Sequence, residues 1–109
     1  MKRKLLFICS RNKQRSLTAE TVLRGNQTIE VKSAGTENGA RVKVTAGLFN
    51  WADLIFVMER RHLNRLQQKH AGALVDKTII TLGIADGYAY MDEELVDILT
   101  NRLAEYIDL

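Results

Sequence analysis

The amino-acid sequence predicts an α/β fold, a three-layer open sheet of four parallel strands with helices on both faces. Four short apolar runs lack the polar alternation that marks a strand with one exposed face. Stretches with helical periodicity separate these runs, so strand and helix alternate through four cycles. The chain contains no proline, no repeat and no low-complexity tract that would mark an internal boundary. We therefore expect residues 1–109 to form a single domain.

The predicted strands are rich in Leu, Ile, Val and Phe and lie at residues 4–9, 29–33, 54–58 and 78–82. Such runs suit strands that are covered on both sides, and helical crossovers between parallel strands are right-handed. Ligands of these folds bind at the carboxyl ends of the strands. The residues that follow each strand are therefore the first candidates for a functional site.

The first two predicted helices follow the first two strands. Residues 16–24 place Ala19, Val22 and Leu23 on one face, and Gly25 is a good helix stop. Residues 45–51 allow a second, short helix.

The last two predicted helices differ in character. The third, at residues 59–69, is polar and basic, and we expect His62 and His70 to lie on its solvated side. The fourth begins at Asp92, which suits a helix cap, and has an acidic first turn. Its core-facing stripe consists of Leu95, Ile98, Leu99, Leu103 and Tyr106.

Composition excludes several classes of protein. Of the 109 residues, 46% are hydrophobic and 27% are charged, which is typical of a globular domain. The longest apolar runs have five residues, whereas a membrane-spanning helix needs roughly 20. Cys9 is the only cysteine, so no internal disulfide can form. The apolar stretch before it is too short for a signal-peptide core, so we expect a cytoplasmic protein.

Positive charge is concentrated at the start of the chain. Residues 1–24 contain seven basic side chains and a single acid, Glu20, although the net charge of the whole chain is only +3. This field favours an anionic ligand near the first strand-to-helix loop. No aromatic residues interleave with the basic ones, so we do not expect nucleic acid as a partner.

The first strand-to-helix loop carries a Cys-x5-Arg-Ser spacing, from Cys9 to Arg15 and Ser16. Backbone N–H groups in such a loop can converge on an oxyanion, and the same field favours the thiolate form of the cysteine, which is the nucleophile. Arg15 can bind two phosphate oxygens through its planar guanidinium. A lone cysteine ending an apolar strand is usually a small buried hydrophobe. Here its neighbours favour a catalytic cysteine instead.

The loop resembles that of the low-molecular-weight protein tyrosine phosphatases, which has the form Cys-x-x-Asn-x-x-Arg-Ser. Cys9, Asn12, Arg15 and Ser16 match all four positions. The chain resembles a short and divergent member of this family, and the resemblance extends over most of its length. It includes Ala19-Glu20, Ser33-Ala34-Gly35-Thr36 and residues 52–58.

The resemblance implies a role for each matching residue. Cys9 would form a phosphocysteine intermediate, Ser16 would stabilise its thiolate, and Asn12 would brace the loop while being held by Ser33. Arg15 would bind the phosphoryl group. Besides Cys9 and Arg15, the phosphate-binding loop would comprise Ser10, Arg11, Asn12, Lys13, Gln14 and Ser16.

The family's general acid comes from a late Asp-Pro loop followed by aromatic residues, and Asp86 is the best match. Tyr88 and Tyr90 would then flank an aryl phosphate at the rim of the site. Gly87 replaces the proline, which makes the loop looser. Asp92 is the rival acid, although its position suits a helix cap better.

The loop itself departs from the family pattern at three positions. Arg11 stands where the family usually has glycine, Gln14 replaces a second cysteine, and Leu17 replaces a proline. The disulfide that usually guards the nucleophile is therefore missing.

The expected function is that of a phosphomonoesterase, of the protein-tyrosine-phosphatase type, that needs no metal or cofactor. Its substrate would be phosphotyrosine or another aryl phosphate. Three alternatives remain: an arsenate reductase that uses an external thiol, a phosphocysteine carrier, and a non-catalytic phosphate- or phosphopeptide-binding module. The carrier is disfavoured because its loop does not require Arg15. Loss of turnover in Cys9→Ser distinguishes an enzyme from a binding module.

Overall fold

A computed structural model describes residues 2–108 of the chain. Strands and helices alternate as predicted. The elements are β1 (Arg3–Cys9), α1 (Arg15–Leu23), β2 (Ile29–Gly35), α2 (Ala46–Trp51), β3 (Leu54–Val57), α3 (Arg60–Leu74), β4 (Thr78–Thr81) and α4 (Glu93–Leu103).

The four strands form one parallel sheet in the order β2-β1-β3-β4. In the register of the sheet, Cys9 of β1 lies beside Gly35 of β2, and Ile8 lies beside Val57 of β3. The carboxyl ends of these strands therefore meet at one edge. The predicted fold class is confirmed.

Helices cover both faces of the sheet. Successive side chains of β1 point to opposite sides, so its apolar residues divide between two buried clusters. On one face, Phe7 and Cys9 belong to a buried cluster that includes apolar residues of α1 and α4. On the other, Leu6 and Ile8 pack with apolar residues of α2 and α3. This arrangement is the predicted three-layer architecture.

The last two helices differ from the prediction at their ends. Helix α3 continues past residue 69 to Leu74, although the backbone at His70 is not helical (φ −135°, ψ 24°). Helix α4 ends at Leu103, so Tyr106 lies beyond it and is 41% exposed, although its ring contacts the buried Phe56 edge-on, with the centroids 5.9 Å apart. The turn after Leu103 buries Ile107 instead.

Within residues 2–108, no helix combines the length and the apolar character that a membrane span requires.

Candidate active site

The loop between β1 and α1 exposes its backbone N–H groups and pairs its carbonyl groups. The carbonyls of Cys9, Ser10 and Arg11 each accept a backbone hydrogen bond of 3.0 Å from the segment 36–41. In contrast, no acceptor in the described part of the chain receives a hydrogen bond from the N–H groups of residues 10–14. These N–H groups are therefore available to an oxyanion, as the sequence predicts.

Two backbone features produce this shape. Gly35 lies so close to the loop that a Cβ atom there would stand 2.5 Å from the carbonyl oxygen of Ser10. Glycine, which has no Cβ, is the residue that avoids this clash. Asn12 adopts a φ of 59°, in the left-handed region that asparagine tolerates better than most residues. The chain therefore turns sharply at Asn12 while it packs against the end of β2.

The Cys9 sulfur contacts the hydroxyl of Ser16. Cys9 Sγ lies 3.0 Å from Ser16 Oγ, and Asn12 Nδ2 donates to that same oxygen at 2.8 Å. All three residues are buried. Because Asn12 donates to Ser16 Oγ, the Ser16 hydroxyl can donate its own proton either to the Cys9 sulfur or to the Ala34 carbonyl, which lies 3.5 Å away. The sulfur, at 3.0 Å, is the nearer of these two acceptors.

The predicted contact between Ser33 and Asn12 is replaced by an indirect one. Ser33 Oγ donates to Glu20 Oε1 at 2.6 Å, because the Glu20 side chain reaches from α1 to the end of β2. Arg41 lies 4.0 Å from the same carboxylate oxygen and donates to the Asn12 carbonyl at 3.2 Å. Ser33 therefore supports the loop through Glu20 and Arg41, and the prediction of a direct brace is corrected.

The guanidinium of Arg15 is held on one side and free on the other. Its side chain is 3% exposed, and Nη1 donates to Glu59 Oε1 at 2.6 Å and to the Ile84 carbonyl at 2.8 Å. Nε and Nη2 have no hydrogen-bond acceptor among residues 2–108, although Nε lies 3.9 Å from Asp86 Oδ1. These two groups form a fork suited to two oxygens of one anion.

Glu59 is therefore a site residue that the sequence did not reveal. Its hydrogen bond with Arg15 lowers the pKa of Glu59, and Arg61 acts in the same direction. Arg61 Nε and Nη2 contact the same carboxylate oxygen at 3.1 and 3.0 Å. Glu59 stays ionised and holds Arg15 in position.

His62 is the second residue that sequence reasoning missed, and the expectation that it is solvated is wrong. It is 1% exposed and lies 3.0 Å from Ser10 Oγ through Nε2. Burial lowers its pKa to about 4, and the positive charges of Arg15 and Arg61 contribute. The available signal was the Glu59-x-x-His62 spacing of a capping box directly after the third strand.

Asp86 lies at the edge of a cavity that Cys9 also lines, with its side chain 63% exposed. Its carboxylate accepts a hydrogen bond of 2.9 Å from the backbone of Gly87, whose φ is 112°. Proline, with φ near −65°, cannot adopt this conformation. Asp92 caps α4 by accepting from the backbone of Glu94 at 2.9 Å, as the sequence predicts.

The two tyrosines after Asp86 do not line the cavity, so the predicted aromatic rim is corrected. Tyr88 packs against the hydrophobic core. The hydroxyl of Tyr90 lies 2.9 Å from Thr21 Oγ1, which directs this ring toward α1. Both tyrosines fasten their loop to the fold rather than contact the cavity.

The cavity around Cys9 has a volume of about 310 Å³, at the small end of the range for ligand pockets. In the described chain, no group of three His, Cys, Asp or Glu is arranged to hold a metal ion. The wall is mostly polar and basic. It is lined by Cys9, Ser10, Arg11, Lys13, Gln14, Arg15, Glu37, Arg61 and Asp86.

No family model and no curated protein sequence matches the chain. Solved structures do match it. The tyrosine phosphatase Wzb from Escherichia coli K30, in complex with sulphate, has a TM-score of 0.75 and 23% identity over 97% of this chain and 96% of that one. SP-PTP, a low-molecular-weight protein tyrosine phosphatase from Streptococcus pyogenes, has a TM-score of 0.74 and 14% identity over 97% and 94%.

The YwlE arginine phosphatase from Geobacillus stearothermophilus is also similar, with a TM-score of 0.72 and 22% identity over 94% of this chain and 91% of that one. The TM-scores of 0.72 to 0.75 establish a common fold, and at identities this low the similarity shows the fold alone. The chain therefore has the fold of the low-molecular-weight protein tyrosine phosphatases, in agreement with the resemblance found in its sequence.

Proposed function

We propose that the protein is a phosphomonoesterase of the protein-tyrosine-phosphatase type that works through a phosphocysteine intermediate on Cys9. One observation carries the proposal. One cavity is lined by Cys9, by Arg15 with its free fork, and by four loop residues whose N–H groups are free, Ser10, Arg11, Lys13 and Gln14. A nucleophile beside donors for a phosphoryl group is what phosphoryl transfer requires.

In the first step, the Cys9 thiolate attacks phosphorus in line with the ester oxygen. The S–P bond forms as the P–O bond breaks, and Asp86 gives its proton to the leaving oxygen. Arg15 and the loop N–H groups stabilise the charge on the equatorial oxygens.

In the second step, Asp86 acts as a base and takes a proton from water, whose oxygen attacks phosphorus. The S–P bond breaks, inorganic phosphate leaves, and Cys9 returns as a thiolate. The Ser16 hydroxyl, 3.0 Å from the sulfur, stabilises this leaving group.

Phosphorylated side chains of proteins, with phosphotyrosine or another aryl phosphate foremost, are the proposed substrates. Of the three similar structures named above, two are described as tyrosine phosphatases and one as an arginine phosphatase. The cavity wall includes Arg11, Lys13 and Arg61, which favours acidic residues beside the phosphorylated one. A basic wall disfavours phosphoarginine, whose guanidinium group is itself basic.

We further propose that residues 1–109 act as one domain in the cytoplasm. The mechanism requires Cys9 as a free thiol, and a reducing compartment maintains that state.

The test is a phosphate-release assay on a phosphotyrosyl peptide, on phosphoarginine and on p-nitrophenyl phosphate. We expect turnover of the two aryl phosphates by the wild type and none by Cys9→Ser. Equal release by both proteins, or none by either, would contradict the proposal. Reduction of arsenate with an added low-molecular-weight thiol, measured in the same preparations, tests the arsenate reductase alternative.

A further inference from the structure

The ring of His62 has a defined protonation pattern, because one of its hydrogen bonds admits a single direction. The backbone N–H of Glu59 donates to His62 Nδ1 at 3.0 Å. A backbone N–H is only a donor, so Nδ1 holds a lone pair and the ring proton resides on Nε2. Nε2–H therefore donates to Ser10 Oγ across the 3.0 Å that separates them.

This contact limits what the Ser10 hydroxyl can do. Ser10 Oγ accepts from His62 and has no other hydrogen-bond partner among residues 2–108. A hydroxyl that accepts through one lone pair still has its own proton to donate. Ser10 follows the nucleophile directly and lines the cavity with Cys9 and Arg15, so that proton is available to an anion there.

We propose that Ser10 donates its hydroxyl proton in a hydrogen bond to a phosphoryl oxygen in the cavity, and that His62 is the positioning residue that keeps it a donor. The inference rests on the phosphate site of the proposed function. It adds a side-chain donor to the backbone N–H groups of the loop and to the guanidinium of Arg15. No proton changes owner, since Ser10 and His62 both remain neutral.

A general-base role for His62 is incompatible with this geometry. Nε2 already carries a proton, and Nδ1 accepts from Glu59, so neither nitrogen is free to take the proton of Ser10. His62 therefore acts through orientation. It is buried, so its ring cannot swing away from Ser10 without leaving a polar group unsatisfied.

The experiment measures how inorganic phosphate protects Cys9 from alkylation by iodoacetate at neutral pH. Cys9 is the only cysteine, so the label reports on this site alone. We expect Ser10→Ala to weaken protection on the order of 10-fold, the effect of one lost hydrogen bond to a charged group. His62→Asn should have a similar effect, because asparagine can still accept from Glu59 but is too short to reach Ser10.

Two further variants separate positioning from a merely structural role. His62→Gln, whose amide reaches as far as Nε2, should bind phosphate within about threefold of the wild type. The double variant Ser10→Ala with His62→Asn should be no weaker than Ser10→Ala alone, because both changes remove the same donor. Thermal unfolding of each variant identifies the temperature range in which all of them are folded.

Three results would overturn the inference: normal protection in Ser10→Ala, additive losses in the double variant, or a loss in His62→Gln as large as in His62→Asn. Should His62→Asn fail to fold, Ser10→Ala and His62→Gln still decide the matter. The proposed function can fail separately. A wild type that binds phosphate but hydrolyses no ester contradicts the enzyme, while the effect of Ser10 on phosphate binding is measured all the same.

Discussion

Replacing Arg15 with lysine keeps the positive charge but removes the planar fork. In the structure, Nη1 is engaged with Glu59 and the Ile84 carbonyl, so only Nε and Nη2 are left for the anion. Lysine has one nitrogen, which the Glu59 carboxylate competes for. Losing one or two charge-assisted hydrogen bonds costs about 2–4 kcal/mol of transition-state stabilisation. At tenfold per 1.36 kcal/mol, the rate falls about 30- to 10³-fold.

The assay is kcat/KM for p-nitrophenyl phosphate, with circular dichroism and thermal unfolding to show that the variant is folded. Arg65→Lys is the matched control, because Arg65 is an exposed residue of α3 whose side chain forms no hydrogen bond or ion pair among residues 2–108. It should retain nearly normal turnover. If Arg15→Lys stays within about threefold of the wild type, the fork does not clamp the phosphoryl group.

Three further predictions concern the acid, the buried imidazole and the close approach of the loop. Asp86→Asn should slow hydrolysis of tyrosyl phosphate much more than that of p-nitrophenyl phosphate, by up to ~10²–10⁴-fold, whereas a loss that follows Asp92→Asn instead would mean that the acid is misassigned. Lowering the pH from 6.5 to 4 should reduce the free energy of unfolding by up to about 3 kcal/mol, because His62 takes up a proton at a higher pH in the unfolded state than in the folded state. Urea titrations at the two pH values measure this loss. An equal loss in His62→Gln would contradict the assignment to His62. Gly35→Ala should lower the free energy of unfolding by about 1–3 kcal/mol, because the new Cβ is pushed against the Ser10 carbonyl. Gly72→Ala, in a helix with open space around it, should raise that free energy by up to ~1 kcal/mol. Equal unfolding midpoints for the two variants would refute the close contact.

The sequence predicted the surroundings of Cys9 because they are local. Cys9, Asn12 and Ser16 lie within eight positions of one another, and their contacts are formed by the loop itself. Their spacing therefore encodes their geometry. The unbroken apolar runs likewise specified the covered parallel sheet, because burial on both faces leaves no place for polar alternation.

The partners of the loop from distant elements could not be read in the same way. Glu59 reaches Arg15, and His62 reaches Ser10, only because β3 lies beside β1 with Val57 next to Ile8. One sequence without its fold does not contain that register. The hydroxyl of Ser33 was expected at the correct end of β2, but the length of the Glu20 side chain decided its partner.

These distant contacts all come from one short segment, which gives the site a coupled design. Glu59 caps α3 and holds Arg15, while His62 completes the same capping box and holds Ser10. The start of α3 and two side chains of the loop, Arg15 and Ser10, therefore share the same two partners, Glu59 and His62. A change that unwinds the first turn of α3 should weaken phosphate binding through both side chains. The contact between Cys9 and Ser16, which depends on the loop alone, would be preserved.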